Sequence, residues 1–310
     1  MLATISQMNP VRLFGFALTF FLVACGGNPS GNSIAKDNNN SPSEGLAVAK
    51  PVDISSDTDA IAMVWAEWLE VRKDGRACLR DTNATFSGRV VDYYQLKGGE
   101  GMIQTHFEDG QRQGPSKWWH WNGKPAGTVN YVDGKQQGVE TWWYENGRKM
   151  RVLTYDRGKL HGAAHAWHEN GEQEFLAGWK KGKSEGNYTE WYLSGKLMTT
   201  RAYADGKRNS IETHWYENNQ KAWEVNWQAG KEQGVRAEWY ESGRKTSEIS
   251  YKDGQRHGKA IGWYQNEKKS FEITYEAGEE TRHLEWSESG SPIDLTEEGW
   301  NPDGTPRKTK

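Results

Sequence analysis

Eight glycines stand 24 residues apart without a slip: Gly110, Gly134, Gly158, Gly182, Gly206, Gly230, Gly254 and Gly278. Each closes a four-residue segment that opens on an aromatic side chain, as in Tyr131-Val-Asp-Gly134 and Trp227-Gln-Ala-Gly230. A fixed period of this length marks a repeat architecture, in which units that cannot bury an apolar face alone stack on their neighbours. Such an array presents a long surface in preference to a single cleft.

Within one period, Gly134 to Gly158, two strands are expected, at about Val139–Tyr144 and Lys149–Tyr155. Glu145-Asn146-Gly147 lies between them, and an Asn-Gly pair is a hairpin signal, here read as a type I′ turn. The second strand runs into the Gly-centred turn that opens the next repeat. The hairpin turn recurs at Asn122-Gly123, Asn170-Gly171, Ser194-Gly195, Asn218-Asn219 and Ser242-Gly243. Asn266-Glu267 departs from it, and a looser or different turn is expected there. With 35 Gly and 17 Trp among 310 residues, composition agrees with many short strands joined by tight turns.

A tryptophan column keeps the same period, at Trp119, Trp143, Trp167, Trp191, Trp215, Trp239 and Trp263, with Trp286 following after one deleted residue. The next residue is Tyr or His: His120, Tyr144, His168, Tyr192, Tyr216, Tyr240 and Tyr264. Neighbours in a strand point to opposite faces, so a Trp ladder on one face and a Tyr/His ladder on the other are expected. The Trp column reads as structural. The more variable Tyr/His column reads as the exposed, candidate binding face. Two strands per repeat put equivalent residues about 10 Å apart, so eight or nine repeats make a twisted sheet about 80–90 Å long. The expected fold is all-β: an elongated, single-layer, antiparallel β-meander of about eight to nine 24-residue hairpins.

The N-terminus is of another kind. Arg12 precedes a mainly apolar run from Leu13 to Ala24, too short to span a bilayer and of the length of a secretory core. Its end, Leu22-Val23-Ala24-Cys25, resembles a bacterial lipoprotein signal. The resemblance implies removal of residues 1–24, lipidation of Cys25 by palmitate-type acyl chains, and a cell-envelope location. Gly26 in place of Asp leans towards the outer membrane of a Gram-negative cell. Residues 25–59 are rich in Gly, Asn, Ser and Pro and read as a flexible tether. Once Cys25 carries lipid, Cys78 has no disulfide partner, and it reads as a small buried hydrophobe.

Residues 57–70 place Ile61, Val64, Trp65 and Trp68 at helical spacing, which predicts a short helix or a helix-to-strand entry. Residues 60–85 thus read as a helix or hairpin cap over the first sheet edge. The array proper spans 86–290, and 291–310 form a half-repeat, around Trp300-Asn-Pro-Asp-Gly304, and a tail.

The repeated Trp-Tyr-Glu-Asn-Gly followed by Tyr-x-Asp-Gly-Lys-x-x-Gly resembles the bacterial variant of the MORN repeat. Glu140–Gly147 with Tyr155–Gly162, Glu190–Gly195, and Glu238–Gly243 with Tyr251–Gly258 match it best. The resemblance extends over about residues 69–290. It implies elongated single-layer antiparallel sheets. Eukaryotic members are associated with membrane lipids and scaffolding, and some bacterial members carry an antitoxin label.

No catalytic constellation stands out. His161 belongs to a turn, and His165 and His168 are expected on opposite sides of a strand, so no metal site is expected there. The aspartates at 109, 133, 205 and 253 recur because Asp-Gly makes a turn. No cofactor is implied, and a formal charge of −3 argues against a nucleic-acid partner. The reading is therefore a non-enzymatic, envelope-anchored repeat scaffold, attached to the membrane by lipid and holding a protein partner. The alternatives are a lipid- or glycan-binding aromatic face, or an immunity/antitoxin-like protein.

Overall fold

A computed structural model describes residues 63–82, 84–96 and 99–307. The expected signal segment 1–24, the expected lipidation site Cys25 and the expected tether 25–59 lie outside the described residues.

The strands follow one another as a meander. Gly88–Leu96 pairs with Gly99–Glu108, and that strand with Gly114–Trp119. The same antiparallel step repeats down the chain to Lys269–Glu276 and Glu279–Glu285. The result is one 22-stranded, open sheet. A short N-terminal strand, Met63–Trp65, adds to its first edge in parallel with Arg89–Val91. At the far edge the chain folds back on itself: His283 N–H donates to Gly304 O, and Trp286 and Trp300 bridge to Pro292 and Pro306. Both edges are thus covered by local segments, which limits strand addition there.

Of the expected short helix or helix-to-strand entry, the described residues form a single 3₁₀ turn, Ala66–Trp68, between Met63–Trp65 and a strand at Leu69–Val71, in place of a longer helix. Residues 57–62 lie outside the described residues. The segment extends because its backbone groups find partners in the sheet edge and in a two-stranded hairpin with Ala77–Leu79. That hairpin packs Leu69 and Ala77 on Phe86 and Val90, the one place among the described residues where a second small sheet covers the first. Cys78 is fully buried there.

Each repeat contains two turns of different construction. At Asp133-Gly134 both residues have positive φ (49° and 75°), and Val132 pairs with Lys135. This is a two-residue type I′ turn, whose twist matches that of the strands. The same backbone recurs at Asp109-Gly110, Arg157-Gly158, Lys181-Gly182, Asp205-Gly206, Ala229-Gly230, Asp253-Gly254 and Ala277-Gly278. The Asn-Gly turn is not type I′. Only Gly147 has positive φ there, Gly147 N–H donates to Tyr144 O, and the register slips between Trp142 and Trp143. That is the longer hairpin loop, a type I turn followed by a left-handed residue. Asn146 serves it through its side chain: Oδ1 accepts from Arg148 N–H at 2.8 Å. Glu267 keeps this turn despite its Cβ, with φ 65° and the same Glu267 N–H to Tyr264 O bond, so no looser turn forms.

A third positive-φ position follows the type I′ turn by four residues, at Gly114, Gly138, Gly162, Gly186, Gly234 and Gly258. Ser210 occupies it in one repeat, at φ 85°. The residue deleted before Trp286 is removed from the bulge next to this position. Between Ile249 and Tyr251 the register shifts by two residues, but between Thr274 and Tyr275 by one.

Candidate functional site

Cross-strand pairing sorts the side chains onto two faces. Glu140 lies opposite Leu153, Trp142 opposite Arg151, and Gly138 opposite Tyr155. On this first face the positions equivalent to Glu140 are buried in most repeats: Ser116, Ala164, Tyr188, Glu212 and Ala260. One residue earlier, the opposite face carries Val139, Ile211 and Val235, each more than half exposed (55%, 55% and 52%). The sheet therefore has a filled face and an open face.

The aromatic ladder of the filled face is not the Tyr/His column. It is the row before the type I′ turns, Tyr131, Tyr155, Trp179, Tyr203, Trp227, Tyr251 and Tyr275. Arginines lie over it: Arg112 over Tyr131 at 5.3 Å, Arg208 over Trp227 at 4.8 Å and Arg256 over Tyr275 at 5.3 Å. Such contacts add about 0.5–1 kcal/mol or more where water is excluded.

Charges are also buried on this face. Glu140 accepts from Trp142 Nε1 at 2.6 Å and from Gln136 Nε2 at 3.0 Å, and meets Arg151 at 3.3 Å. Burial outweighs Arg151 and pushes the Glu140 carboxyl above its ordinary range. Glu190 is raised for the same reason, against Arg201 and the Tyr188 hydroxyl. Burial likewise lifts the phenols of Tyr155 and Tyr188, each beside one of these carboxylates. Glu212 is 1% exposed and sits between Arg201 and Arg208, both at 3.3 Å. Burial and then Arg201 lower His214, whose Nδ1 lies 2.6 Å from Thr199 Oγ1. These groups pair with one another, while Arg151 Nε, Arg201 Nε and Glu212 Oε2 are buried without a hydrogen-bond partner.

The open face carries the Trp column. Lys221 lies over Trp239, Lys245 over Trp263 and Lys269 over Trp286, at 5.7, 5.9 and 5.8 Å. Each lysine also pairs with a glutamate three residues on: Glu224, Glu248 or Glu272. The tryptophans are half-buried under these pairs, in agreement with a structural role.

The Tyr/His column is not the exposed row expected of it. His120, Tyr144, His168, Tyr192, Tyr216, Tyr240 and Tyr264 are all half-buried, because each leaves the strand ladder at the start of a turn. Each polar tip is held by the carbonyl of the following repeat's tryptophan. The tyrosine hydroxyls donate to Trp167, Trp215, Trp239, Trp263 and Trp286 O at 2.7–3.1 Å. His120 and His168 Nε2 lie 2.9 and 3.1 Å from Trp143 and Trp191 O. Tyr94 extends the column backwards, donating to Trp119 O at 3.1 Å. Its spacing is off by two from the period, so only the fold reveals it.

A parallel set of links runs between successive turns. Asn146, Asn170, Asn218 and Asn266 donate through Nδ2 to the carbonyls of Glu169, Leu193, Glu241 and Glu288. Where serine replaces asparagine, the side chain two residues on does the same: Lys196 reaches Glu217 O at 2.7 Å and Arg244 reaches Gln265 O at 2.6 Å.

His165 stacks on Trp167 while His168 turns to the Trp191 carbonyl. Among the described residues no group of three or more metal-ligating side chains assembles. No helix among them is long and apolar enough to cross a membrane.

Among solved structures, the Tc holotoxin pore of Photorhabdus luminescens is similar at 11% identity over 77% of this chain. The chain spans 19% of that chain's length, and the TM-score of 0.15 carries no argument about fold or function. A comparison with curated proteins finds no match. Residues 136–157 match the MORN repeat variant. They contain the strand Gly138–Trp143, the Asn-Gly turn and the strand Lys149–Asp156, the unit that recurs through the sheet. The protein is a repeat protein whose residues 136–157 match the MORN repeat variant, within an open meander of equivalent hairpins.

Proposed function

We propose that this chain is a non-catalytic scaffold, held at the bacterial envelope by lipidated Cys25 and binding a protein partner across the open face of its sheet. One observation carries the reading. Val139, Ile211 and Val235 occupy equivalent positions of three repeats and are each more than half exposed on the same face. β-Branched apolar side chains in one row, spaced by whole repeats, suit an extended or strand-rich protein surface. The lipid- or glycan-binding alternative drew on the Tyr/His column, whose polar tips are occupied by backbone carbonyls. The non-enzymatic reading is supported by the way the buried carboxylates and arginines of the filled face are spent on one another.

A photo-crosslinking residue at Val139 or Val235, in the full chain in its own cells, should capture the same protein reproducibly. Val139→Asp with Val235→Asp should abolish the capture. Capture that is absent, or indifferent to these charges, removes the scaffold reading. Separately, Cys25→Ala should move the protein from the membrane to the soluble fraction, because the acyl chains supply about 0.8 kcal/mol per buried methylene. Unchanged retention removes the anchor.

A further inference from the structure

The first repeats carry a basic cluster that the scaffold reading does not use. Arg89 lies directly across the ladder from His106, and Gln104 directly across from Lys117. His106 and Gln104 are two apart on one strand, so all four side chains stand on the same face, drawn from three adjacent strands. With Pro115 they line a depression of about 440 Å³. That is within the span of small-ligand sites, about 300–1,000 Å³.

Like or potentially like charges placed opposite each other weaken a sheet. Like charges also face each other beside two turns, Lys180 with Lys183 and Glu276 with Glu279, but within the strands other cations meet acids: Lys259 meets Glu272 at 3.2 Å, Arg151 meets Glu140 at 3.3 Å and Arg236 meets Glu238 at 2.8 Å. Among the described residues, the side chains of Arg89, His106 and Lys117 have neither an ion pair nor a hydrogen bond. Glu108, the acid two residues from His106 on its strand, does not engage them. The cluster is rich in donors, the Gln104 amide oxygen being an acceptor among them, and Arg89 and Lys117 are exposed to solvent.

We propose that this depression binds a phosphate monoester of a small sugar-like molecule. A phosphate monoester carries about −1.5 to −2 charges at neutral pH. Arg89 and Lys117 match that charge, and the guanidinium supplies a planar fork for two oxygens. His106 and Gln104 add directed N–H donors, and the Pro115 ring offers an apolar wall for the carbon skeleton.

Titration calorimetry of the full chain with glucose 6-phosphate, inorganic phosphate and glucose tests it. Glucose 6-phosphate should bind saturably, inorganic phosphate more weakly, and glucose not at all. Arg89→Gln and Lys117→Gln should each weaken binding by about tenfold or more, which is about 1.4 kcal/mol. Lys159→Gln, on a distant turn, should leave it unchanged. Lys117 is exposed, so its variant keeps the test decisive if Arg89→Gln does not fold. Absence of saturable binding by both phosphates, equal binding of glucose, or affinities indifferent to Arg89 and Lys117 would overturn the site. Binding only to phosphatidic acid in phosphatidylcholine vesicles, with neither free phosphate bound, would overturn it in favour of a membrane surface. Val139 lies one repeat from Pro115 on the same face, but Val235 lies five repeats away, so the crosslink at Val235 lets either proposal fail alone.

Discussion

The Tyr144 hydroxyl donates to the carbonyl oxygen of Trp167, 23 residues later, at 2.8 Å. The bond ties one repeat's turn to the last strand residue before the next repeat's turn. Because the same link recurs down the chain, stability in the array resides as much between repeats as within them. It follows that Tyr144→Phe and Tyr216→Phe should each cost about 0.5–1.5 kcal/mol, the net worth of a protein hydrogen bond. Urea unfolding of single and double variants measures this. No change in midpoint for either variant would mean that the hydroxyl is dispensable.

Ser210 holds φ 85° where six other repeats have glycine. A Cβ in a left-handed conformation costs roughly 1–2 kcal/mol. Ser210→Gly should therefore stabilise by about 1 kcal/mol, raising the melting temperature by about 2–4 °C. The reverse change, Gly234→Ser, should lower it by a similar amount. Nothing lies within 4 Å of a Cβ built there, so the loss would be purely conformational.

Glu212 joins two arginines under a nearly closed surface. Glu212→Leu leaves Arg201 and Arg208 facing each other without their shared acceptor. Breaking a buried pair from one side costs about 3–5 kcal/mol. Arg208 is a third exposed, so the low end is expected. Thermal denaturation of Glu212→Leu beside Glu212→Gln separates lost charge from lost acceptor: Glu212→Gln should retain part of the stability.

The raised carboxyls give a pH dependence with a definite sign. Glu140 and Glu190 hold protons more tightly folded than unfolded. Over the range from the ordinary carboxylate value up to their raised folded values, the native state binds more protons, so their contribution to stability falls as pH rises. Glu224 and Glu272, held below their ordinary value, act oppositely and lose their contribution as pH falls through their folded values. The stability of Glu140→Gln relative to the parent chain should therefore increase as pH rises from the carboxylate range towards neutral. Melting temperatures across that range check it, and a flat difference would refute the assignment.

The period, the two strands per repeat and the positions of both turns could be read from the residues alone. They depend on local chemistry: glycine at positive φ, Asp and Asn in turns, aromatics in strands. Which turn is the two-residue one could not be read this way. Asp133-Gly134 and Asn146-Gly147 are near-identical as dipeptides, and their difference lies in strand register: Val132 pairs with Lys135, but Trp143 pairs with Lys149. Register is set by hydrogen bonds to neighbouring strands and by which face each row buries. Tertiary structure also decided the fate of the aromatic rows. Alternation along a strand put Tyr144 on a surface, but the strand ends at Trp143, and the Tyr144 ring reaches a carbonyl that exists only where the next repeat docks. The same holds for Glu140 and Glu212, charged residues that composition assigns to solvent. Stacked repeats bury them because their arginine partners come from the adjoining strands. A local pattern determines what each unit is, and only contact between units decides which of its side chains remain free.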